Sequence, residues 1–479
     1  MKAVLVRPPF YALFGVTTPK MKTYPLNLLS LATYARDVGG HDVVLVDGEN
    51  VSVPDLVPPE GAASDPETVM HDGIPRMIRV LEDHSHPLWL ELERRIMDEN
   101  PDLVGISCNS GNMDTARVMV GRLKAHGVPV VLGGSHPTVL PEQSLAYTSA
   151  DMAVMGEGET ALVAILDSTA GKGDFRDTRS LAWNQSGHIH INPRGELIDN
   201  IDELPIPDRS FIDRSHYFGE VVMTSRGCPF DCAYCASRNI WGKRVRFRSL
   251  DSLLKELKML KAAAEDPGQA SEAARPGSRV VKVIDDTFTL GKKRTLDFLQ
   301  ALIGEGLNCF EFTGGVRVDT LDEEIAATMH EAGFRRVTLG VESGSPKILR
   351  MIRKGTTNDR VKRAVELLRN AGIKSHAFFM IGFPEETRED VEMSKQLIRE
   401  ARPDYVEVNM VTPYPGTWLF DELISEDPMK IDRWYRWFHQ GLSTHSDKIG
   451  FDLDRAYEDF LRFAKDHNSK SAPTHSKGR

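Results

Sequence analysis

A chain of 479 residues is too long for one ordinary hydrophobic core, which stops growing at about 250–300 residues, so two or three domains are expected. Its 41% hydrophobic and 27% charged residues suit a globular protein, and a net charge of −10 argues against a general nucleic-acid-binding surface. The apolar run in MKAVLVRPPF is too short for a signal-peptide core or a membrane span, so a cytoplasmic protein with no transmembrane segment is expected.

Residues 3–6, AVLV, form a continuous apolar run stopped by Arg7-Pro8-Pro9, the pattern of a buried parallel strand. In LNLLSLATYARDVGG, Leu28, Leu31, Ala32 and Ala35 share one helical face before Gly39 and Gly40, and VVLV at 43–46 is the next strand. Residues 51–100 interrupt this rhythm with a polar, proline-containing loop and two expected helices, near 73–84 and 87–98. It resumes with LVGIS at 103–107, a helix over 113–126, PVVLGG at 129–134, a short helix near 141–147 and a strand from Met152. Five strands alternating with helices predict a doubly wound α/β domain of the Rossmann or flavodoxin type over residues 1–170, with its ligand beyond the carboxyl ends of the strands. Asp47, Ser107, Gly133, Gly134 and Gly156 stand at those ends, where glycines let a large ligand approach the backbone. No G-x-G-x-x-G follows the first strand, so a dinucleotide fingerprint is missing.

Residues 171–215 read as a connector, with a small hairpin around Ser186-Gly187 followed by the proline-bearing IDELPIPDRSFIDR. Beyond it, three of the five cysteines, Cys228, Cys232 and Cys235, fall within eight residues in TSRGCPFDCAYCASRN, while Cys108 and Cys309 stand alone. A zinc site normally takes four protein ligands from paired C-x2-C halves, and no second pair exists; His216 would complete a set only by a chance of folding. A disulfide would leave one of the three unpaired. The spacing C-x3-C-x2-C on a tight loop instead suits three irons of a [4Fe-4S] cluster whose fourth iron is open.

From residue 216 to 418 the chain again alternates strand and helix. Strands are expected at EVVMTS, VVKVIDDTFT (280–289), CFEFTGGVRV (309–318), RVTLGVES (336–343), SHAFFMIGF (375–383) and YVEVNMVT (405–412). Six such units suit a partial (β/α)6 TIM-type barrel, whose functional groups gather at the carboxyl ends of the strands. Asp285, Arg317, Glu342, Ser343 and Gly382 lie at those ends. The basic KRVRFRS reads as a solvated or structural segment, and residues 262–278 as a small-residue surface insertion. Residues 419–479 form a short, mostly helical C-terminal region with a disordered tail from Asn468. Within it Trp434, Tyr435, Trp437, Phe438 and His439 either bury aromatics against the barrel mouth or line a substrate pocket, plain packing being the favoured reading.

The spacing Cys228-x3-Cys232-x2-Cys235, with Tyr234 before the last cysteine, resembles the signature of the radical S-adenosylmethionine (SAM) enzymes. In that family SAM chelates the open iron, and one electron from the cluster cleaves it to methionine and a 5′-deoxyadenosyl radical. The strings IDDTF, GVESGS and IGFPEET are similar to those that line the family's SAM site. The match implies that Asp285 and Glu342 meet the ammonium or ribose of SAM and that backbone near Gly382 meets its adenine, with Tyr234, Arg317 and Ser343 beside them. A flavodoxin-like domain ahead of this motif, with GGSHPTVLPE and GEGE at 156–159, resembles the cobalamin-binding branch. Asp47, Ser107, Gly133, Gly134 and Gly156 would then face cobalamin. The mutase-type D-x-H-x-x-G string is missing, which implies a cobalt without a histidine from that motif.

What this resemblance implies is a C-methyltransferase: a deoxyadenosyl radical abstracts hydrogen from an unactivated carbon of a small molecule, and the carbon takes a methyl group from cobalamin. The substrate class stays open between a bulky apolar lipid or pigment such as a hopanoid, towards which the aromatic C-terminal segment leans, and a polar natural-product precursor; a flavodoxin- or ferredoxin-type protein is the expected electron donor. Oxidative cyclisation or ring rearrangement with the same cofactors is the alternative, and a non-catalytic iron-sulfur module ranks below both.

Overall fold

A computed structural model of the protein describes residues 1–15, 22–51, 53–56, 66–265, 279–424, 426–438 and 443–471. The first sheet begins with five parallel strands, β1 (Lys2–Arg7), β2 (Asp42–Asp47), β3 (Leu103–Ser107), β4 (Val130–Gly133) and β5 (Met152–Val154). Two antiparallel strands, β6 (Leu181–Gln185) and β7 (His188–Ile191), extend it, giving the order β2-β1-β3-β4-β5-β6-β7. The parallel part has the flavodoxin order 2-1-3-4-5. The hairpin expected in the connector thus completes the edge of the first sheet. Ser186 and Gly187 make its turn at φ 53 and 89, the double left-handed geometry of a tight hairpin.

The second sheet contains β8 (Glu220–Val222). A short antiparallel ribbon of β9 (Ser225–Arg226) and β10 (Arg246–Phe247) follows. Then come β11 (Val280–Val283), β12 (Glu311–Val316), β13 (Phe334–Glu342), β14 (Lys374–Ile381) and β15 (Tyr405–Met410), in the parallel order β15-β14-β13-β12-β11-β8. All six expected strands are present, as an open barrel whose end strands β8 and β15 do not pair. Helices cover the outer face. Phe288, Phe312 and Phe334 stack with ring centroids 5.3 Å apart in its core.

Helix Leu453–Ser471 packs along β15 and runs past the point where the sequence suggests a disordered tail. Asn468 explains this: its side chain accepts from Val406 N at 2.8 Å and donates to Val406 O at 2.9 Å, pairing the barrel's open edge. Residues 472–479, most of the 262–278 insertion and His439 lie outside the described residues. No helix among the described residues is long and apolar enough to cross a membrane.

The aromatic segment packs as favoured, but not on the barrel mouth. Trp434, Trp437 and Phe438 enter the core of the first sheet with Phe10, Phe14 and Trp89. Phe438 meets Phe10 at 5.0 Å and Phe14 at 5.4 Å between centroids. Trp437 Nε1 donates to Pro413 O at 2.8 Å, so one side chain joins that core to the segment following β15. Replacing Phe438 with Ala is expected to cost about 3–5 kcal/mol in chemical unfolding. Replacing Met259, 54% exposed on a barrel helix, should change stability by less than about 0.5 kcal/mol.

Candidate active site

The cysteine loop leaves the barrel through Thr224, Ser225 and Arg226. Gly227, at φ 101, turns the chain where any Cβ would lie 2.2 Å from the Arg244 carbonyl oxygen. Cys228 Sγ lies 3.7 Å from Thr287 Oγ1, Arg317 Nη1 reaches Cys232 Sγ at 3.7 Å, and Cys235 N donates to Cys232 O at 3.1 Å. Burial, helped by the charges of Cys232, Asp286 and Cys228, pushes the Cys235 thiol up to about 11. The thiols are near enough to feel one another. Yet among the described residues no three His, Cys, Asp or Glu side chains converge on a single-ion site. A cubane, which puts each thiolate on its own iron, needs a wider spread than one tetrahedral ion. His216 is exposed and sits 3.4 Å from Asp213.

Around the loop the expected residues divide. Glu342, buried and held at φ 71, accepts from Tyr234 Oη at 2.8 Å and from Lys354 Nζ at 2.6 Å. Arg317 covers Phe230 at 3.6 Å from the ring centroid and donates to Asp319 and to Lys354 O. Tyr234, Arg317 and Glu342 therefore come together beside the cysteines.

Asp285 does not present a free carboxylate to a ligand. It accepts from Thr224 N at 2.6 Å, from Ser225 N at 3.2 Å and from both hydroxyls, so it fixes the strand end that launches the loop. Burial raises its pKa, with these donors pulling the other way. Ser343 is fully buried, donor or acceptor to Ser394 and acceptor for Ser345 N, and faces the protein interior. Gly382 spends its N–H on Glu386 and its carbonyl on His445 Nε2, at 2.6 and 2.8 Å, so that backbone is already paired. Burial pushes the Glu386 carboxyl up to about 8.

On the first sheet, Ser107, Gly133, Gly134 and Gly156 line one cavity of about 320 Å³, within the range of small-molecule sites. Barrel residues Met223, Arg226, Trp241 and Ile284 close its other side. The cavity extends inward between Leu5, Leu28, Leu31, Val131, Leu162 and Ile165. Asp47 lies outside this lining: Arg7 Nε at 2.7 Å, Tyr217 Oη and Glu49 N occupy its carboxylate, which ties the sheet to the segment that leads into β8. His136 is buried between Ser110 Oγ and Gln143 Oε1, each at 2.9 Å, and burial takes its pKa down to about 4. Cys108 donates to Ile106 O and is a small buried packing residue.

Sequence reasoning missed what holds the two halves of this cavity together. Arg226 donates to Glu157 Oε1 and Glu159 Oε1, both at 2.6 Å, and Arg246 Nη1 reaches both oxygens of Glu157 at 2.8 Å. All four side chains are at most 7% exposed, and both guanidinium groups cover Trp241 at 5.7 Å. The signal was present in GEGE and in an arginine two residues before Cys228, but read separately. Arg246 belongs to KRVRFRS, whose structural reading it bears out.

The Radical SAM superfamily model matches residues 222–398, and the B12 binding domain model residues 76–166. An uncharacterized methyltransferase of Pyrococcus horikoshii is 32% identical over 450 residues, covering 91% of this chain and 86% of that protein. The anaerobic magnesium-protoporphyrin IX monomethyl ester cyclase of Rubrivivax gelatinosus is 26% identical, covering 78% of this chain and 67% of that one. The fold is similar to the radical SAM methyltransferase TsrM of Kitasatospora setae, solved with cobalamin and a [4Fe-4S] cluster bound, at a TM-score of 0.68. That likeness covers 88% of this chain and 77% of that one at 18% identity. The cobalamin-dependent SAM radical enzyme OxsB matches at a TM-score of 0.63 and 18% identity, over 100% of this chain and 62% of that one.

Replacing Arg226 with Met should cost about 3–5 kcal/mol, because it strands the buried Glu159 carboxylate. Adding Glu159→Gln should recover part of that loss in urea titrations. A single variant as stable as the parent would show that the ion cluster does not hold the halves together.

Proposed function

This chain belongs to the cobalamin-binding radical SAM enzymes, whose cofactors are a [4Fe-4S] cluster, SAM and cobalamin, and from that premise we propose that it methylates an unactivated carbon of a small molecule. The observation that carries the proposal is the shared cavity, lined by strand ends of the first sheet and by barrel residues next to the cysteine loop. Methyl transfer, rather than another radical reaction, rests on the methyltransferase that matches nearly the whole chain.

The residues present fit these groups. Three cysteines on one tight loop, with Cys235 N bonded to Cys232 O, suit a cubane with one open iron. Gly133 and Gly156 leave open space where a Cβ would stand, so a wide, flat cofactor can lie against the backbone, while the apolar slot from Leu5 to Ile165 suits a nucleotide tail. When bound, the cluster and SAM supply a 5′-deoxyadenosyl radical and cobalamin supplies the methyl group. In this reading Cys228, Cys232 and Cys235 hold the cluster, Glu342 and Tyr234 orient SAM, Arg317 supports Cys232, and Ser107, Gly133, Gly134 and Gly156 seat cobalamin. Trp241 and Met223 exclude water between the two sites. The cavity lining contains no histidine, and the nearby His136 is engaged on both ring nitrogens.

The electron would come from a flavodoxin- or ferredoxin-type donor. A hopanoid-like or pigment-like substrate loses one support, because the aromatic segment fills the core of the first sheet. Oxidative cyclisation is the second reading, favoured by the cyclase that matches 78% of the chain.

Ala at Cys228, Cys232 or Cys235 should abolish cluster absorbance and SAM cleavage after anaerobic reconstitution, whereas Cys309→Ala should retain both. Product mass decides the reaction: a gain of one methylene, with S-adenosylhomocysteine and 5′-deoxyadenosine formed together, is expected. SAM cleavage with substrate loss and no methyl gain would sink methyl transfer in favour of cyclisation.

A further inference from the structure

Three consecutive residues, Ile352, Arg353 and Lys354, reach four consecutive residues of the cysteine loop. Ile352 O accepts from Ala233 N at 2.9 Å, and Arg353 Nη1 donates to Asp231 Oδ2 at 2.9 Å. Lys354 O accepts from Arg317 Nη2 at 2.6 Å, and the other Nη of that guanidinium reaches Cys232 Sγ. Lys354 Nζ donates to Tyr234 Oη at 2.9 Å and to Glu342 Oε1 at 2.6 Å. The segment thus bonds directly to Asp231, Ala233 and Tyr234 and reaches Cys232 through Arg317.

Its backbone is held in an unfavourable shape. Arg353 has φ 55 and Glu342 φ 71, and non-glycine residues keep such conformations only where surrounding contacts over-determine them. A turn serving only as a latch would need no charge. Instead Lys354, 6% exposed, buries an ammonium whose desolvation is offset by its pairing with Glu342 and its bond to the Tyr234 hydroxyl. Space is tight around that pair: a Cβ on Gly340 would lie 2.8 Å from Glu342 Oε1 and 2.9 Å from Lys354 Nζ. Arg317 is likewise buried, stacked on Phe230 within the same loop.

We propose that Lys354 and Arg317 are positioning residues for the radical-generating centre: Lys354 on the 352–354 turn and Arg317 just past β12 together fix the cysteine loop and place two positive charges beside the cluster, and Lys354 holds Glu342 as the carboxylate that meets SAM. The inference rests on the reading that the three cysteines hold the cluster and Glu342 meets SAM. Cationic donors beside thiolate ligands favour the reduced cluster. Removing Lys354 leaves Glu342 beside the loop without its counter-charge, so the reduced state is disfavoured.

The test uses the reconstituted full-length protein with Lys354→Met, Lys354→Gln and Lys354→Arg. Iron and sulfide content, the midpoint potential from an EPR-monitored titration, and KM and kcat for 5′-deoxyadenosine formation with a chemical reductant are measured. Lys354→Met should keep its cluster, titrate at a more negative potential than the parent, and raise KM for SAM by about tenfold with kcat changed by less than about threefold. Lys354→Arg should return both potential and KM towards the parent. If Lys354→Met does not load, Lys354→Gln is read in the same way, and loading of the arginine variant alone also supports the charge. Parent-like potential and KM in a loaded Met or Gln variant would overturn the inference, as would equal loss in all three. A parent protein that itself takes up no cluster would instead overturn the proposed function.

Discussion

Four buried charges make this a single working unit. Arg226 and Arg246 from the barrel's first ribbon close on Glu157 and Glu159 from the first sheet. Burying such a group is a poor way to gain stability, because the desolvation of each ion consumes most of the attraction. What it supplies is direction. The rigid guanidinium of Arg226 bridges two carboxylates, one from each of its terminal nitrogens, and Arg226 is two residues from Cys228. The orientation of one half of the cavity is therefore set by the backbone that also presents the thiols. Ile198 of the connector joins the same cluster through both its N–H and its carbonyl, so the connector is held at the junction it spans.

Much of this architecture was legible in the sequence. Short, valine- and isoleucine-rich apolar runs such as AVLV and LVGIS, bounded by turn residues, read as strands covered on both faces, and their alternation with helical patterns points to parallel sheets. The cysteine spacing was legible for the same kind of reason, since local spacing survives folding. Residues whose role depends on distant partners were not. Asp285 and Gly382 look like ligands at strand ends, but Thr224 and Ser225 consume the first, and Glu386 and His445 the second. Asp47 stands at a strand end as expected, yet Arg7 and Tyr217 claim its carboxylate. Lys354 carries no motif of its own, and its partners Tyr234 and Glu342 are 120 and 12 residues away.

The same distinction explains the barrel face. Glu342 and Asp285 are both buried acids at strand ends, but one is paired with an ammonium and a phenol and the other with hydroxyls and amides. A ligand with its own charge can displace or join the first arrangement. Displacing the second would unseat the strand that leads into the cysteine loop. Burial alone does not mark a site; the exchangeability of the partners does.

Phe10 and Phe438 touch across almost the whole length of the chain. The core of the first sheet, although most of its residues lie early in the sequence, also contains Phe420, Ile431, Trp434, Trp437 and Phe438. During synthesis that sheet therefore emerges long before the side chains that finish its core, and its completion needs a very long loop closure. Because Trp437 also bonds to Pro413 beyond the last barrel strand, the barrel must be nearly complete when the first core closes. Ile106 and Leu132, which line the cavity, belong to that same core, so the wall against which a cofactor would lie is backed by packing contributed from near both ends of the sequence.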